Sequence, residues 1–223
     1  ERGAKKYSNW IGKVINYKKE MHKIDVTLDN HKFISPYKFM EILSEELPSN
    51  AIIVPDTGST VVWAAQSYRA KIGQRFFSSW GNTPMGYSIA ASIGAYYANK
   101  ENSALIVAII GDGGLQMNIQ ELQFIAVHKI PVKIFVMNNE NLGLTLHGAF
   151  AQFEGRTHAN EPDTGYHAPD FIKIADAYGL TSLALKSEDN LKQKVKEILK
   201  TSGPLLIEVK IDPKQSVFEN SGI

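Results

Sequence analysis

The fold is decided by the stretch ALIVAIIGDGGLQMNIQELQFIAVHKIPVKIFVMNNENLGL, residues 104–144. Its apolar runs 104–110 and 132–137 are short and rich in isoleucine and valine, which predicts two strands buried on both faces. Between the strands, apolar residues recur at helical spacing, at Leu115, Ile119, Leu122 and Ala126. A strand, helix, strand unit of this kind predicts that the two strands are parallel.

Polar side chains follow both strands at the point where each strand ends. Asp112 comes after the first strand, and Asn139 and Asn141 come after the second. Ligands of parallel sheets bind beyond the carboxyl ends of the strands. Carboxylate and amide oxygens are the ligands that a hard cation such as Mg²⁺ selects. The sequence therefore predicts a metal site formed by these three residues.

Glycines surround the aspartate, at Gly111, Gly113 and Gly114. Glycine allows main-chain N–H groups to approach an anion closely, and the helix N-terminus that follows also favours negative charge. A cation site beside an anion site predicts a bound diphosphate that is bridged by Mg²⁺.

The complete pattern is Gly-Asp-Gly, then twenty-four residues between Gly113 and Asn138, then Asn-Asn. It resembles the cofactor motif of thiamine diphosphate enzymes, and the words GDGGLQMNIQEL and PVKIFVMNNENLG are most similar to the acetolactate synthase branch. The resemblance extends from about Ser35 to Val209. It implies the thiamine diphosphate-binding fold, a doubly wound, mainly parallel α/β sheet with helices on both faces, and the alternation of strands and helices agrees.

A second segment, 51–60, is predicted to be a strand that ends in a phosphate-binding turn before a helix. It is similar to the family's first diphosphate-contacting turn, which implies cofactor contacts at Thr57, Gly58, Ser59 and Thr60. The family usually carries Gln-His where this chain has Ser59-Thr60. Contacts that a longer side chain makes there are therefore not implied for this chain.

The irregular loop 78–86 resembles the family's loop around the aminopyrimidine ring. The resemblance implies that the Thr83 carbonyl accepts from the amino group of that ring. It also implies that Met85 supports the thiazolium from below and holds the cofactor bent, while Gly143 and Leu144 lie on the thiazolium side.

Three segments are expected along the chain. Residues 1–34 are read as a linker or arm from a preceding domain, 35–212 as the pyrophosphate-binding domain, and 213–223 as a loose tail. The domain begins with a helix that starts at Ser35-Pro36, a capping serine followed by proline. The polar loop 154–168 is predicted to be a lid or binding loop. His158 and His167 in this loop, with His147 just before it, could serve as acids, bases or substrate contacts.

Composition narrows the classes of function. The chain has 223 residues, a formal net charge of +1, 43% hydrophobic residues and no cysteine. This balance gives no electrostatic reason to bind nucleic acid or an anionic membrane, and no apolar run approaches the ~18–20 residues of a membrane span. We expect a cytoplasmic protein without a nucleic-acid or membrane partner.

The resemblance implies the chemistry of thiamine diphosphate and Mg²⁺, with FAD possible in the full-length enzyme. A 2-oxo acid would be decarboxylated, and the carbanion would be ligated to an acceptor. The family's activating glutamate lies on a pyrimidine-binding domain of the same or a partner subunit. We therefore expect no catalytic residue in this chain, assign no such role to Glu121 or Glu140, and expect an inactive isolated chain. The complete enzyme would be a homodimer or tetramer.

Two alternatives stay open. Biosynthetic acetolactate synthases usually carry a tryptophan near the position of Leu146-His147, and its absence leaves room for a non-ligating 2-oxo acid decarboxylase, possibly split between subunits. A non-catalytic nucleotide- or phosphate-binding module could use the same sheet. Against that module, the chain has neither Gly-x-Gly-x-x-Gly after the first strand nor a Gly-Lys-Ser/Thr loop.

Overall fold

The computed structural model describes residues 7–21, 32–99 and 103–217. Helix α1 (Ser8–Met21) belongs to one compact unit, and residues 32–217 belong to a second unit, which carries the sheet. Of the arm predicted at 1–34, residues 1–6 and 22–31 lie outside the described residues. Its boundary with the domain, and the boundary at 212, stay predictions.

A six-stranded sheet forms the centre of the second unit, with its strands in the order β2-β1-β3-β4-β6-β5. Every neighbouring pair is parallel. The strands are β1 (Ile52–Pro55), β2 (Arg75–Phe76), β3 (Ile106–Gly111), β4 (Val132–Asn138), β5 (Thr181–Leu185) and β6 (Leu205–Lys210). The chain winds from β1 towards β2 on one side and towards β3 on the other, so a crevice is expected beyond the carboxyl ends of β1 and β3.

Helices cover both faces of this sheet. They are α2 (Pro36–Glu46), α3 (Ser59–Ser67), α4 (Tyr87–Ala98), α5 (Asp112–Met117), α6 (Glu121–Val127), α7 (Gly143–Gln152), α8 (Phe171–Ala177) and α9 (Leu191–Lys200). On one face, Ala108 and Ile134 share a core with Phe171 of α8. On the other, Phe135 meets Phe39 of α2 with ring centroids 5.2 Å apart. The doubly wound α/β class is therefore confirmed.

Local signals place α2 where the sequence predicts it. The Ser35 hydroxyl accepts from the main-chain N–H of Lys38 at 3.4 Å, and Pro36 is the first helical residue.

Within the part of the chain that the structure describes, no helix combines the length and the hydrophobicity that a membrane span requires.

The prediction of a single helix after Asp112 is wrong, because the structure has two short helices there, α5 and α6. Asn118 lies at the break, where its side-chain amide donates to the Gly86 carbonyl at 3.1 Å. Asparagine is a weak helix former, which agrees with a break at this position. The apolar spacing still looks helical because Leu115 and Leu122 both enter the same core.

The tail predicted to be loose after Pro213 is ordered as far as the structure describes it. Gln215 and Val217 are buried, and the Trp63 indole N–H donates to the Ser216 carbonyl at 3.3 Å. The prediction is therefore wrong for residues 213–217, which pack against α3. Residues 218–223 lie outside the described residues.

Candidate metal and anion site

A pocket opens beyond the carboxyl ends of β1, β3 and β4. Every predicted cofactor residue except Thr83 lines it, namely Thr57, Gly58, Ser59, Thr60, Met85, Gly111, Asp112, Gly113, Gly114, Asn139, Asn141, Gly143 and Leu144. Trp63, Met137, Leu142 and Thr145 also line it, and no sequence motif indicated them.

Asp112 is the buried first residue of α5. One carboxylate oxygen, Oδ1, accepts from the Gly113 N–H at 2.9 Å. The other, Oδ2, is buried without a hydrogen-bond partner among the residues that the structure describes. Burial raises the pKa of this carboxyl to about 7, although the Gly113 N–H opposes the shift. A buried carboxylate oxygen without a partner is costly, so the position suits a bound cation.

Asn139 and Asn141 are both buried and bonded to each other. The Asn139 amide nitrogen donates to Asn141 Oδ1 at 2.8 Å. The Asn141 amide nitrogen donates to two main-chain carbonyls, those of Asn139 at 3.1 Å and Pro213 at 2.7 Å. These bonds use both amide nitrogens and one lone pair of Asn141 Oδ1. A cation could therefore be bound by Asn139 Oδ1 and by the second lone pair of Asn141 Oδ1. The described residues contain no group of three His, Cys, Asp or Glu side chains that could hold a metal, so a metal here depends on the asparagines.

Three helices begin at this pocket without a side-chain cap. They are α3 after Gly58, α5 after Gly111 and α7 after Leu142. Away from the pocket, α2 and α8 begin with capping side chains, Ser35 and Asp170. The first N–H groups of a helix have no partner within the helix, and their partial positive charge attracts anions. The pocket therefore suits an anion beside the cation.

Asp56 is a site residue that the sequence analysis did not assign. It directly follows β1, is buried, and accepts from the main-chain N–H groups of Gly86 and Ser88 at 3.0 Å each. Burial raises the pKa of Asp56, and these N–H groups oppose the shift. The carboxylate thereby fixes the loop before α4. Gly114 packs on it so closely that a Cβ at 114 would collide with Asp56 Oδ2. The sequence did contain a signal for Asp56, namely a carboxylate directly after a strand that is predicted to be buried.

Thr83 lies on the exposed rim and does not line the pocket. Its φ is +42°, a left-handed conformation that is strained for a β-branched residue, and its N–H donates to the Ser79 carbonyl at 2.8 Å. Met85, in the same loop, does line the pocket. The loop thus presents Met85 to the pocket and Thr83 to the surface.

The polar loop 154–168 reaches the site through a tyrosine. The Tyr166 hydroxyl accepts from Gln116 Nε2 at 3.0 Å and lies beside the Asp112 carboxyl, where it opposes the effect of burial on the pKa of that carboxyl. His158 and His167 do not line the pocket. One tyrosine in a polar loop gives no sequence signal for this contact.

Comparison with known proteins identifies the family. Residues 56–209 match the model of the family described as "Thiamine pyrophosphate enzyme, C-terminal TPP binding domain". The chain belongs to this family. The match covers the pocket and the carboxyl ends of β1, β3 and β4, so the resemblance seen in the sequence is confirmed.

The relatives of this thiamine pyrophosphate-binding domain are longer proteins. It is 32% identical over 210 residues to the acetolactate synthase large subunit of Cyanidium caldarium, covering 94% of this chain and 34% of the relative. It is also 32% identical over 219 residues to the mitochondrial acetolactate synthase catalytic subunit of Saccharomyces cerevisiae, covering 96% and 31%. The chain thus spans about a third of the length of these relatives.

A solved structure shares the fold. The thiamine diphosphate-dependent 4-hydroxybenzoylformate decarboxylase of Rhodococcus jostii aligns with a TM-score of 0.71 at 24% identity, over 83% of this chain and 34% of that chain. At this identity the likeness concerns the fold alone.

Glu121 and Glu140, for which the sequence predicts no catalytic role, do not line the pocket.

Replacing Asp112 with asparagine tests the electrostatic strain in metal-free protein. Because the pKa is raised to about 7, the folded protein binds this proton more tightly than the unfolded chain, in which Asp titrates near ~3.9. The protonated carboxyl of Asp112 therefore stabilises the folded protein below about pH 4. This stabilisation is lost as the pH rises towards 7. At pH 8 with EDTA, we expect Asp112→Asn to raise that free energy by on the order of 3 kcal/mol in urea titrations.

The same substitution at Asp176, an exposed position in α8, is the control and should leave the pH profile unchanged. Parallel pH profiles for wild type and Asp112→Asn between pH 4 and 8 would contradict the strain.

A Cβ at Gly143 tests the packing around the asparagines. It would lie 2.8 Å from Ser59 Oγ and 2.9 Å from Asn139 Nδ2, whereas a Cβ at Gly148 in the same helix meets nothing within 4 Å. We expect Gly143→Ala to lower the free energy of unfolding by about 1–3 kcal/mol, as overpacking does. Gly148→Ala should raise it by up to ~1 kcal/mol through helix propensity. Equal effects of the two substitutions in urea unfolding would refute close packing at 143.

Proposed function

We propose that this domain binds thiamine diphosphate through Mg²⁺ in an enzyme that decarboxylates a 2-oxo acid and ligates the product to an acceptor. The observation that carries the proposal is the buried Asp112 Oδ2, which has no hydrogen-bond partner among the described residues and lies in the pocket that Asn139 and Asn141 also line. That donor set suits a hard cation, and the uncapped helix starts suit the phosphate groups that such a cation bridges.

The charge of the pocket supports the requirement for a metal. No lysine, arginine or histidine occurs among the described residues that line it, whereas Asp56 and Asp112 both do. A diphosphate brings further negative charge, which the protein does not neutralise there. Mg²⁺ on Asp112, Asn139 and Asn141 would supply the missing positive charge. Main-chain N–H groups at the starts of α3, α5 and α7 would then hold phosphate oxygens.

The pocket lining also includes large apolar side chains, namely Trp63, Met85, Met137 and Leu144. Thiamine diphosphate supplies the electron sink that decarboxylation needs. Met85, an adaptable and apolar side chain, would support the thiazolium and keep water from it. The Asp56 carboxylate fixes the loop that carries Met85, because it holds the two N–H groups at the end of that loop.

The acid that starts the chemistry is proposed to come from elsewhere. Among the described residues, the only carboxylates lining the pocket are Asp56 and Asp112. Asp56 already accepts two main-chain N–H groups, and Asp112 is assigned to the metal. We therefore propose a glutamate on a pyrimidine-binding domain of the same or a partner subunit, in a homo-oligomeric enzyme. Thr83, which is exposed and does not line the pocket, would then contact the pyrimidine ring from its loop.

Binding of thiamine diphosphate should depend on a divalent cation. Because no basic side chain among the described residues lines the pocket, replacing Mg²⁺ with EDTA should weaken thiamine diphosphate binding in calorimetry by more than roughly 100-fold, beyond the usual effect of losing an outer-shell partner. Asp112→Asn should have the same effect in the presence of Mg²⁺. NAD and ATP serve as comparison ligands.

Equal affinity for thiamine diphosphate in Mg²⁺ and in EDTA would exclude the metal-bridged mode. Tighter binding of NAD or ATP than of thiamine diphosphate would favour the nucleotide-binding alternative.

Product analysis tests the reaction. The relatives named acetolactate synthases suggest that pyruvate, with Mg²⁺ and thiamine diphosphate, gives acetolactate in the complete enzyme. Acetaldehyde as the main product would instead support the non-ligating decarboxylase. The measurement requires the pyrimidine-binding domain, and the same assay without it should show no turnover.

A further inference from the structure

Two adjacent asparagines, Asn138 and Asn139, stand at the end of β4 and make different contacts. Asn139 lines the pocket. Asn138 is buried behind it, and its amide nitrogen donates to Glu208 Oε1 on β6 at 2.7 Å. The Asn138 amide oxygen accepts from the main-chain N–H of Glu140 at 3.0 Å. The Asn138 side chain therefore joins β6 to the backbone of the turn 138–141.

A buried carboxylate needs compensation, and Glu208 has two compensating groups. It is 6% exposed, receives the Asn138 amide, and lies 3.1 Å from Lys210 Nζ. The same ammonium group lies 3.5 Å from Glu140 Oε1. Lys210 thus connects Glu208 to the residue in the middle of the turn, and the charge of Glu208 is paired rather than isolated.

The turn itself needs an external restraint. Glu140 has a φ of +58°, a left-handed conformation that a non-glycine residue adopts at a cost. The Ile211 N–H donates to the Asn138 carbonyl at 2.9 Å, and the Pro213 carbonyl accepts from the Asn141 amide at 2.7 Å. β6 and the residues that follow it therefore hold the turn from behind at several points.

We infer that Glu208 is a positioning residue for the metal site, acting through Asn138 on the orientation of Asn139. The inference rests on the proposed Mg²⁺ site. Glu208 does not line the pocket and binds no ligand itself. By holding the Asn138 amide, it fixes the start of the turn 138–141, so that the neighbouring Asn139 amide is directed into the pocket before the metal binds. Outer-shell partners of this kind orient metal ligands and raise metal affinity.

The test uses the full chain and the Mg²⁺ concentration that gives half-maximal binding of thiamine diphosphate in calorimetry. Glu208→Ala removes the acceptor and should raise that concentration at least ~10-fold. Glu208→Gln keeps an acceptor oxygen for Asn138 and should largely restore the wild-type value. At saturating Mg²⁺, the affinity of Glu208→Ala for thiamine diphosphate should return close to wild type, because the phosphate contacts are intact.

Glu188→Ala is the matched control, because Glu188 pairs with Lys38 and does not line the pocket. It should leave the Mg²⁺ half-saturation unchanged. If Glu208→Ala does not fold, Asn138→Ala removes the same contact from the other side and should give the same shift. A lower thermal midpoint with an unchanged Mg²⁺ curve would mean that Glu208 is merely structural, and would overturn the inference.

The outcomes separate this inference from the proposed function. If wild type binds thiamine diphosphate without any Mg²⁺ dependence, the proposed metal site fails. If wild type depends on Mg²⁺ and Glu208→Ala follows the same Mg²⁺ curve, the metal site stands and the positioning role of Glu208 is refuted.

Discussion

The buried carboxylate of Asp112 is the constraint on which the site depends. Its Oδ2 has no partner among the described residues, and the raised pKa reflects the cost of keeping that charge out of water. The carboxylate lies in the same pocket as the amides of Asn139 and Asn141 and the uncapped starts of α3, α5 and α7. A metal ion bound by this carboxylate and by a phosphate group would offset the burial of both negative charges. Binding of the cation and binding of the anion are therefore coupled.

Three helices start at the pocket after Gly58, Gly111 and Leu142, and none of these starts has a side-chain cap. A cap contributes about 1 kcal/mol, so a ligand that accepts from the first N–H groups of these helices would supply a contribution that the side chains do not. The absence of a cap does not by itself mark the site, because α6 and α9, which begin after Gln120 and Asn190 away from the pocket, also lack one.

A layer of supporting side chains makes this arrangement rigid. Asp56 holds the start of α4, Asn118 holds Gly86, and Glu208 holds Asn138. These partners are separated by 30 to 70 residues in sequence. Each uses a polar side chain to satisfy a buried amide or main-chain group, so that the loops of the pocket are fixed by hydrogen bonds rather than by apolar packing.

The sequence alone determined the parallel sheet, the helix start at Ser35 and the presence of Asp112 and Asn139 in the lining of one pocket. Strand ends, caps and apolar periodicity are local patterns, and parallel pairing brings neighbouring strand ends to one edge. Only the tertiary structure decided the helix break at Asn118, the approach of Tyr166 and the packing of residues 213–217. Those features depend on contacts between distant segments, which compete with local preference and leave no periodic trace in the chain.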